Sequence, residues 1–358
     1  MPADGKVVPW HRCLLVALPG WVVARVVVLS TFALANQPSA LVWDAAWYHD
    51  LGVHGYGPYG AEGSRFFPLL PAIVAVGAGL GAPAGVWQLA VCWVAALFFA
   101  AALVRLTVRE SGDEAAGHRV AWLIQLVPGA NVLALGYTEA LAGLLAVLYF
   151  LALRSPRGVP TGVAAGVLSG LARPTGPLLV VPGLVEAVRS ARGEGEGRAA
   201  RWGAWLVALA PLVGTGGYLA WAWWALGDPL TPYRVHSAAD LRGGVARAPW
   251  EFLLRTSPGG YPWPLVLTLL AAAAVALYLC GRRLPLAYVA WAGPMVGLAV
   301  TAWGLHSLPR YLAAIFPLWM AVAVVVRDRR LWLTLMTASV AGFIWVAWLT
   351  VAPGGPVP

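Results

Sequence analysis

The sequence predicts an all-α polytopic membrane protein: a bundle of about eleven transmembrane helices with a long first outer loop and a juxtamembrane helix. Three observations carry that expectation. Of the 358 residues, 60% are hydrophobic and only 11% charged, with a mean hydropathy of +0.74; an ordinary soluble chain carries about 25% charged residues. Apolar runs of about 20 residues, the length that crosses a bilayer core, recur along the chain. Twenty tryptophans suit two interfacial belts, where an amphipathic indole sits at headgroup level. The same composition excludes a disordered chain, a nucleic-acid binder and an ordinary cytosolic enzyme. The net charge of +9 is dispersed over short loops, so its first use is in fixing topology.

In chain order, the apolar stretches lie at 13–35, 66–82, 87–106, 119–135, 138–153, 159–171, 175–189, 201–226, 262–280, 285–303, 311–326 and 331–351. The first ends in Ala33-Leu34-Ala35, which resembles a cleavage site. Its apolar region exceeds the 7–15 residues of a signal-peptide core, so an uncleaved span is expected. The stretch 66–82, at 1.5 Å per residue, reaches about 25 Å and falls short of a 30 Å core. Several other stretches are as short, so charge decides. With a cytoplasmic N-terminus and no crossing at 66–82, sixteen of the 24 basic residues lie inside, seven lie outside, and Arg25 sits within the first span. A crossing there reverses the asymmetry. The excess of Lys and Arg on cytoplasmic loops selects the first arrangement, with eleven spans.

The chain then reads as one integral membrane domain, 1–358. Its long first outer loop and juxtamembrane segment occupy 36–86, and a second outer loop occupies 227–261. The inner loops are short and basic, and 191–198 reads as a solvated linker. Cys13, Cys92 and Cys280 each lie in an apolar run without metal-ligand spacing, as small buried hydrophobes do. No disulfide framework, zinc site or cofactor follows, and a metal site at Asp44, His49 and Asp50 is conceivable but has no recognised ligand spacing behind it.

The loop 36–65 concentrates Asp44, Tyr48, His49, Asp50, His54, Tyr56 and Glu62 between two apolar segments; long ordered loops are often functional. Asp44 is flanked by Trp43 and Trp47. A carboxylate partly withdrawn from water among aromatic rings suits a general base, and an N-cap of a short helix beginning after Asp44 is the alternative. Arg310 stands just outside a span, where a planar guanidinium matches phosphate oxygens; interfacial snorkelling is the other reading. Glu139 and Arg173 are lone outer-face charges, costly unless paired or functional; they either pair with each other or contact a substrate. Asp228 opens Asp-Pro-Leu-Thr-Pro and reads first as a turn residue. Arg25 is expected to face the bundle interior. Trp221, Trp223 and Trp224 read as an interfacial belt.

These residues carry a resemblance. Trp43-Asp44-Ala45-Ala46-Trp47-Tyr48, His54-Gly55-Tyr56 and Phe66-Phe67-Pro68-Leu69-Leu70-Pro71 resemble the opening of the PIG-V-type mannosyltransferase family, membrane glycosyltransferases of the GT-C superfamily. Gly136-Tyr137-Thr138-Glu139, Gly170-Leu171-Ala172-Arg173-Pro174-Thr175-Gly176, Leu226-Gly227-Asp228-Pro229 and Pro309-Arg310-Tyr311-Leu312 follow in the family's order. The chain departs from the pattern at Arg65, where a small residue is more usual, and after Asp228, where members often carry Gln and Trp.

The resemblance implies a GT-C-like bundle that inverts configuration in a single displacement. Its donor would be a polyprenyl-phosphate sugar, mannose by family, and its acceptor a lipid or glycan. Asp44 would be catalytic, and Arg310 with Tyr311 would bind the donor phosphate. Trp43, Tyr48, His54, Tyr56, Glu139, Arg173 and Asp228 would bind substrate. The active face would be non-cytoplasmic, at the plasma membrane of a bacterium or in the endoplasmic reticulum of a eukaryote. Membrane lipids are the other expected partners, and nucleic acid is not one. A transporter or lipid flippase is the competing class, but the sequence shows neither internal repeats nor, apart from Arg25, ionisable groups near mid-span.

Overall fold

The structure is a computed structural model that describes residues 8–155, 157–192, 198–237, 261–301, 305 and 307–352. Most of the second outer loop expected at 227–261, with Arg242, Arg247 and Arg255, and the core of the 191–198 linker lie outside the described residues. Among those described, every regular element is a helix. The helices are α1 (Trp10–Leu34), α2 (Asp44–His54), α3 (Gly60–Gly63), α4 (Leu69–Gly79), α5 (Ala84–Ser111), α6 (Glu114–Leu126), α7 (Glu139–Leu153) and α8 (Val159–Ala172). They continue with α9 (Val180–Arg192), α10 (Arg198–Leu226), α11 (Thr231–Ser237), α12 (Trp263–Arg283), α13 (Leu286–Thr301), α14 (Leu308–Ala314), α15 (Phe316–Val325) and α16 (Arg329–Val351).

By length and composition, α1, α5, α10, α12 and α16 can each cross a membrane, and α14 with α15 would make a sixth span bent by 66°. The chain is thus an integral membrane protein. Helices α4, α7, α8 and α13 are apolar but shorter. The α4 helix has 11 residues, which at 1.5 Å each reach about 16 Å, roughly half a bilayer core. The segment expected to stay on one side is therefore helical over too short a length to cross alone.

Two compact units divide the chain: Met1–Trp43, Trp93–Leu135 and Ala246–Pro358 form the first, and Asp44–Cys92 with Gly136–Val245 the second. In the first unit, α1 packs on α6 and α16, and α12 packs on α13, α14 and α15. Residues Cys13, Ala17, Gly20, Ala24, Val28 and Thr31 make a buried stripe at three- and four-residue spacing. Leu15, Val26 and Leu29 point outward and are exposed. Small residues on the inner stripe let helices approach closely, and large apolar ones suit lipid. Arg25 is buried, 3% exposed, as expected. Its guanidinium donates to Gln125 Oε1 at 2.7 Å and to the Leu133 carbonyl at 2.6 Å. Gln125 in turn donates to the Ala96 carbonyl at 3.0 Å. A charge inside an apolar segment is tolerable when so engaged.

In the second unit, α8 packs along α10 and α7. Gly162, Gly166 and Gly170 recur every four residues on the α8 face toward α10. A Cβ at Gly166 would lie 2.8 Å from Ala210 Cβ, and one at Gly170 would lie 2.2 Å from the Pro211 carbonyl oxygen. This is small-residue helix packing, and any side chain at Gly170 would force the pair apart. On the other side of the unit α2 lies against α4, with Tyr48, Leu51, Phe66, Leu70, Val74 and Cys92 in one apolar cluster. The three cysteines are buried thiols, as their apolar surroundings predict.

Candidate functional site

In the second unit, Asp44 opens α2, its carboxylate in the first turn, where the helix dipole favours negative charge. The residue before it, Trp43, holds a left-handed φ of 54° and is exposed. Such backbone strain clusters at functional sites. One turn along α2, Tyr48 is 5% exposed and its hydroxyl lies 3.2 Å from Thr138 Oγ1. Glu139 opens α7 and pairs with Arg173 at 2.5 Å, the two side chains 1% and 14% exposed. Burial first, with Asp44 and Glu139 adding to it, pushes the Tyr48 phenol above its ordinary range, and Arg173 partly opposes them. The charges of Asp44, Glu139 and Arg173 are therefore all felt at the Tyr48 hydroxyl, which stays protonated and can donate.

Gln88, fully buried on α5, fastens this cluster. Its Nε2 donates to the Ala45 carbonyl at 2.9 Å and to the Gly136 carbonyl at 2.7 Å, tying the start of α2 to the turn before α7. Sequence reasoning missed Gln88 and Thr138. The signal for Gln88 was a lone amide within the apolar run of α5, a type of residue that bonds across helices in membranes.

Other expected residues lie elsewhere in the unit. His54 closes α2 and is exposed, while His49 Nδ1 and Asp50 Oδ1 pair with each other at 3.0 Å. The Tyr56 hydroxyl donates to the Phe66 carbonyl at 2.7 Å, and its ring packs 5.0 Å from Trp221. Trp221 stacks on Tyr218 at 5.2 Å, whereas Trp223 and Trp224 are 67% and 86% exposed, as belt residues would be. Arg65, the residue that departs from the family pattern, lies over the rings of Phe66 and Trp47, 4.8 and 5.3 Å from their centroids. Asp228 accepts from the Leu230 N–H at 3.0 Å and pairs with Arg234 at 2.7 Å, the geometry of the turn its sequence suggested.

In the first unit, Arg310 belongs to α14 and is only 5% exposed. A snorkelling arginine keeps its head in water; this one is enclosed. Its guanidinium carbon lies 5.8 Å from the ring centroid of Tyr311. The Pro309–Arg310 backbone rests on Gly129, whose φ is 90° and where a Cβ would come within 2.1 Å of the Pro309 carbonyl carbon. The turn that follows, Ala130–Ala134, is held at three points. Arg25 binds the Leu133 carbonyl, Trp93 Nε1 donates to Ala134 at 2.8 Å, and Asn131 Nδ2 donates to Thr350 Oγ1 at 3.0 Å. Arg310 thus sits on a stiff, glycine-dependent seat.

The Glu139–Arg173 pair gives a stability prediction. Removing one partner of a buried pair costs roughly 3–5 kcal/mol, while replacing both with apolar groups can be nearly neutral. Glu139→Gln should therefore lower the melting temperature in detergent, and adding Arg173→Met should restore part of it. If Glu139→Gln melts with the parent protein, the pair contributes nothing to stability.

No protein-family profile matches the chain, and no curated protein sequence does either. Among solved structures it superposes on the oligosaccharyltransferase of Archaeoglobus fulgidus. For the complex with zinc and sulfate the TM-score is 0.51, with 16% identity over 95% of this chain and 54% of the other. For the apo form it is 0.50, with 14% identity over 96% and 56%. The chain spans little more than half the length of the protein it matches, and the likeness is one of fold.

Proposed function

We propose that the chain is a GT-C-type membrane glycosyltransferase that moves a sugar from a polyprenyl-phosphate donor to a hydroxyl of a lipid or glycan acceptor on the non-cytoplasmic face. The motif resemblance makes that sugar mannose. The observation that carries the reading is the cluster of Asp44, Tyr48, Glu139 and Arg173, drawn from three motifs far apart in sequence. The likeness of fold to an oligosaccharyltransferase supports the class. Asp44 takes the proton of the acceptor hydroxyl as its oxygen attacks the anomeric carbon. The bond to phosphate breaks, with inversion, and the polyprenyl phosphate leaves carrying the electron pair. Arg310 and Tyr311 hold that phosphate; a fixed cation there stabilises the charge that grows as the bond breaks. Trp43, His54, Tyr56 and Asp228 contribute contacts to substrate.

The test incubates purified protein with polyprenyl-phosphate mannose and a membrane lipid or glycan extract. Transferred mannose supports the reading. Transfer only from a different polyprenyl-phosphate sugar removes mannose but keeps the class. Failure with every such donor removes the class.

The reading places the N-terminus inside, the C-terminus outside and eleven spans between, with α4 lying along one face. Reporter fusions after Arg109, Arg157 and Arg283 should all report cytoplasm. Exterior signals at those sites would mean that the 66–82 segment crosses and the active face is the other one.

A further inference from the structure

Tyr261 precedes α12 and is buried, 2% exposed, yet among the described residues its hydroxyl meets no hydrogen-bond partner. Buried polar groups nearly always have one, and a buried hydroxyl without one weakens the fold. The helix that follows it, α12, packs on α14, which carries Arg310. Burial pushes the Tyr261 phenol up and the Arg310 charge pulls it partly back, so the two side chains are electrostatic neighbours and the phenol keeps its proton. A protonated phenol is an O–H donor, and beside an enclosed guanidinium the group it is suited to meet is an anion.

We propose that the Tyr261 hydroxyl is a second donor to the phosphate of the lipid-linked sugar, placed beside Arg310, so that the anion is held by one guanidinium and one neutral O–H. This rests on reading Arg310 as the phosphate-binding residue. It accounts for a buried hydroxyl without a partner among the described residues: the ligand supplies the acceptor. It also divides the work. Arg310 supplies charge, and Tyr261 supplies a directional bond from a different helix without adding a second cation that would hold the product phosphate too tightly.

Tyr261→Phe removes the oxygen and keeps the ring. Full-length parent and variant in detergent are titrated with undecaprenyl phosphate, binding being read as a rise in melting temperature and as an apparent Kd. The variant without lipid should melt no lower than the parent, because it has lost a buried polar group without a partner among the described residues. Its affinity for undecaprenyl phosphate should fall by about ten-fold or more, as expected for a hydrogen bond to a charged group. Undecaprenol, which lacks the phosphate, should bind parent and variant alike. Equal affinity of parent and Tyr261→Phe for undecaprenyl phosphate overturns the proposal, as does an equal loss with undecaprenol, which would place the hydroxyl on the tail. Arg310→Lys separates the two levels. If it weakens lipid-phosphate binding while Tyr261→Phe does not, only the tyrosine assignment fails. If neither variant weakens binding, the reading of Arg310 fails with it.

Discussion

Asp44→Asn should lower sugar transfer by about two to four powers of ten, the range that general-base catalysis supplies, while expression and melting temperature stay close to the parent's. The amide keeps the size of the carboxylate and one acceptor oxygen, so a capping role in the first turn of α2 would be largely preserved. What the amide loses is the ability to take a proton. The effect should fall on kcat and kcat/KM together, because proton transfer belongs to the transition state and not to acceptor binding. Near-normal transfer would leave Asp44 as a residue that starts a helix. The surroundings favour the larger effect. Asp44 shares its environment with a protonated Tyr48 and with the Glu139–Arg173 pair, and Gln88 fixes the backbone one residue on.

Arg310→Lys should reduce kcat with the donor, and Arg310→Ala should reduce it further. Lysine keeps the charge but not the planar fork, so a bidentate phosphate contact is lost while attraction remains. If the contact formed equally in the bound donor and in the transition state, only the donor KM would rise. A contact that tightens as the phosphate departs lowers kcat as well, and this second pattern is expected because charge develops on the leaving group. Steady-state kinetics over a range of donor concentrations distinguish the two. Unchanged kinetics in both variants would make Arg310 a structural residue and move the search for the phosphate ligand to Arg173 or Arg234.

Asp44, Glu139 and Arg173 lie far apart in the sequence, which announces some residues of the candidate site better than others. Hydropathy alone marked the apolar segments, five of which are helices long enough to cross a membrane, because a segment that must exclude water is recognisable from its own composition. The short reach of 66–82 was visible in the same way, and α4 proves shorter still. Asp44, Glu139, Arg173 and Arg310 were visible as polar residues at the margins of apolar runs. The glycine repeat at 162, 166 and 170 was legible as spacing but gained a meaning only when α10 was found against it. Arg25 could be assigned to the interior from its place in α1, but its partner Gln125 lies 100 residues away, and nothing local couples the two.

The sequence by itself determined that this protein lives in a membrane, how its apolar segments are spaced, and which few charged side chains stand where they must be paired or used. Those properties are set by the free energy of moving each segment or group out of water, which depends on the segment or group alone. Only the tertiary structure decided the pairings. It joined Glu139 to Arg173 and Arg25 to Gln125; it tied α2 to the turn before α7 through Gln88, and it buried the Tyr261 hydroxyl within reach of the Arg310 charge. A hydrogen bond or ion pair depends on distances of a few ångströms between atoms whose separation along the chain carries no information about their separation in space, and helix packing alone fixes those distances.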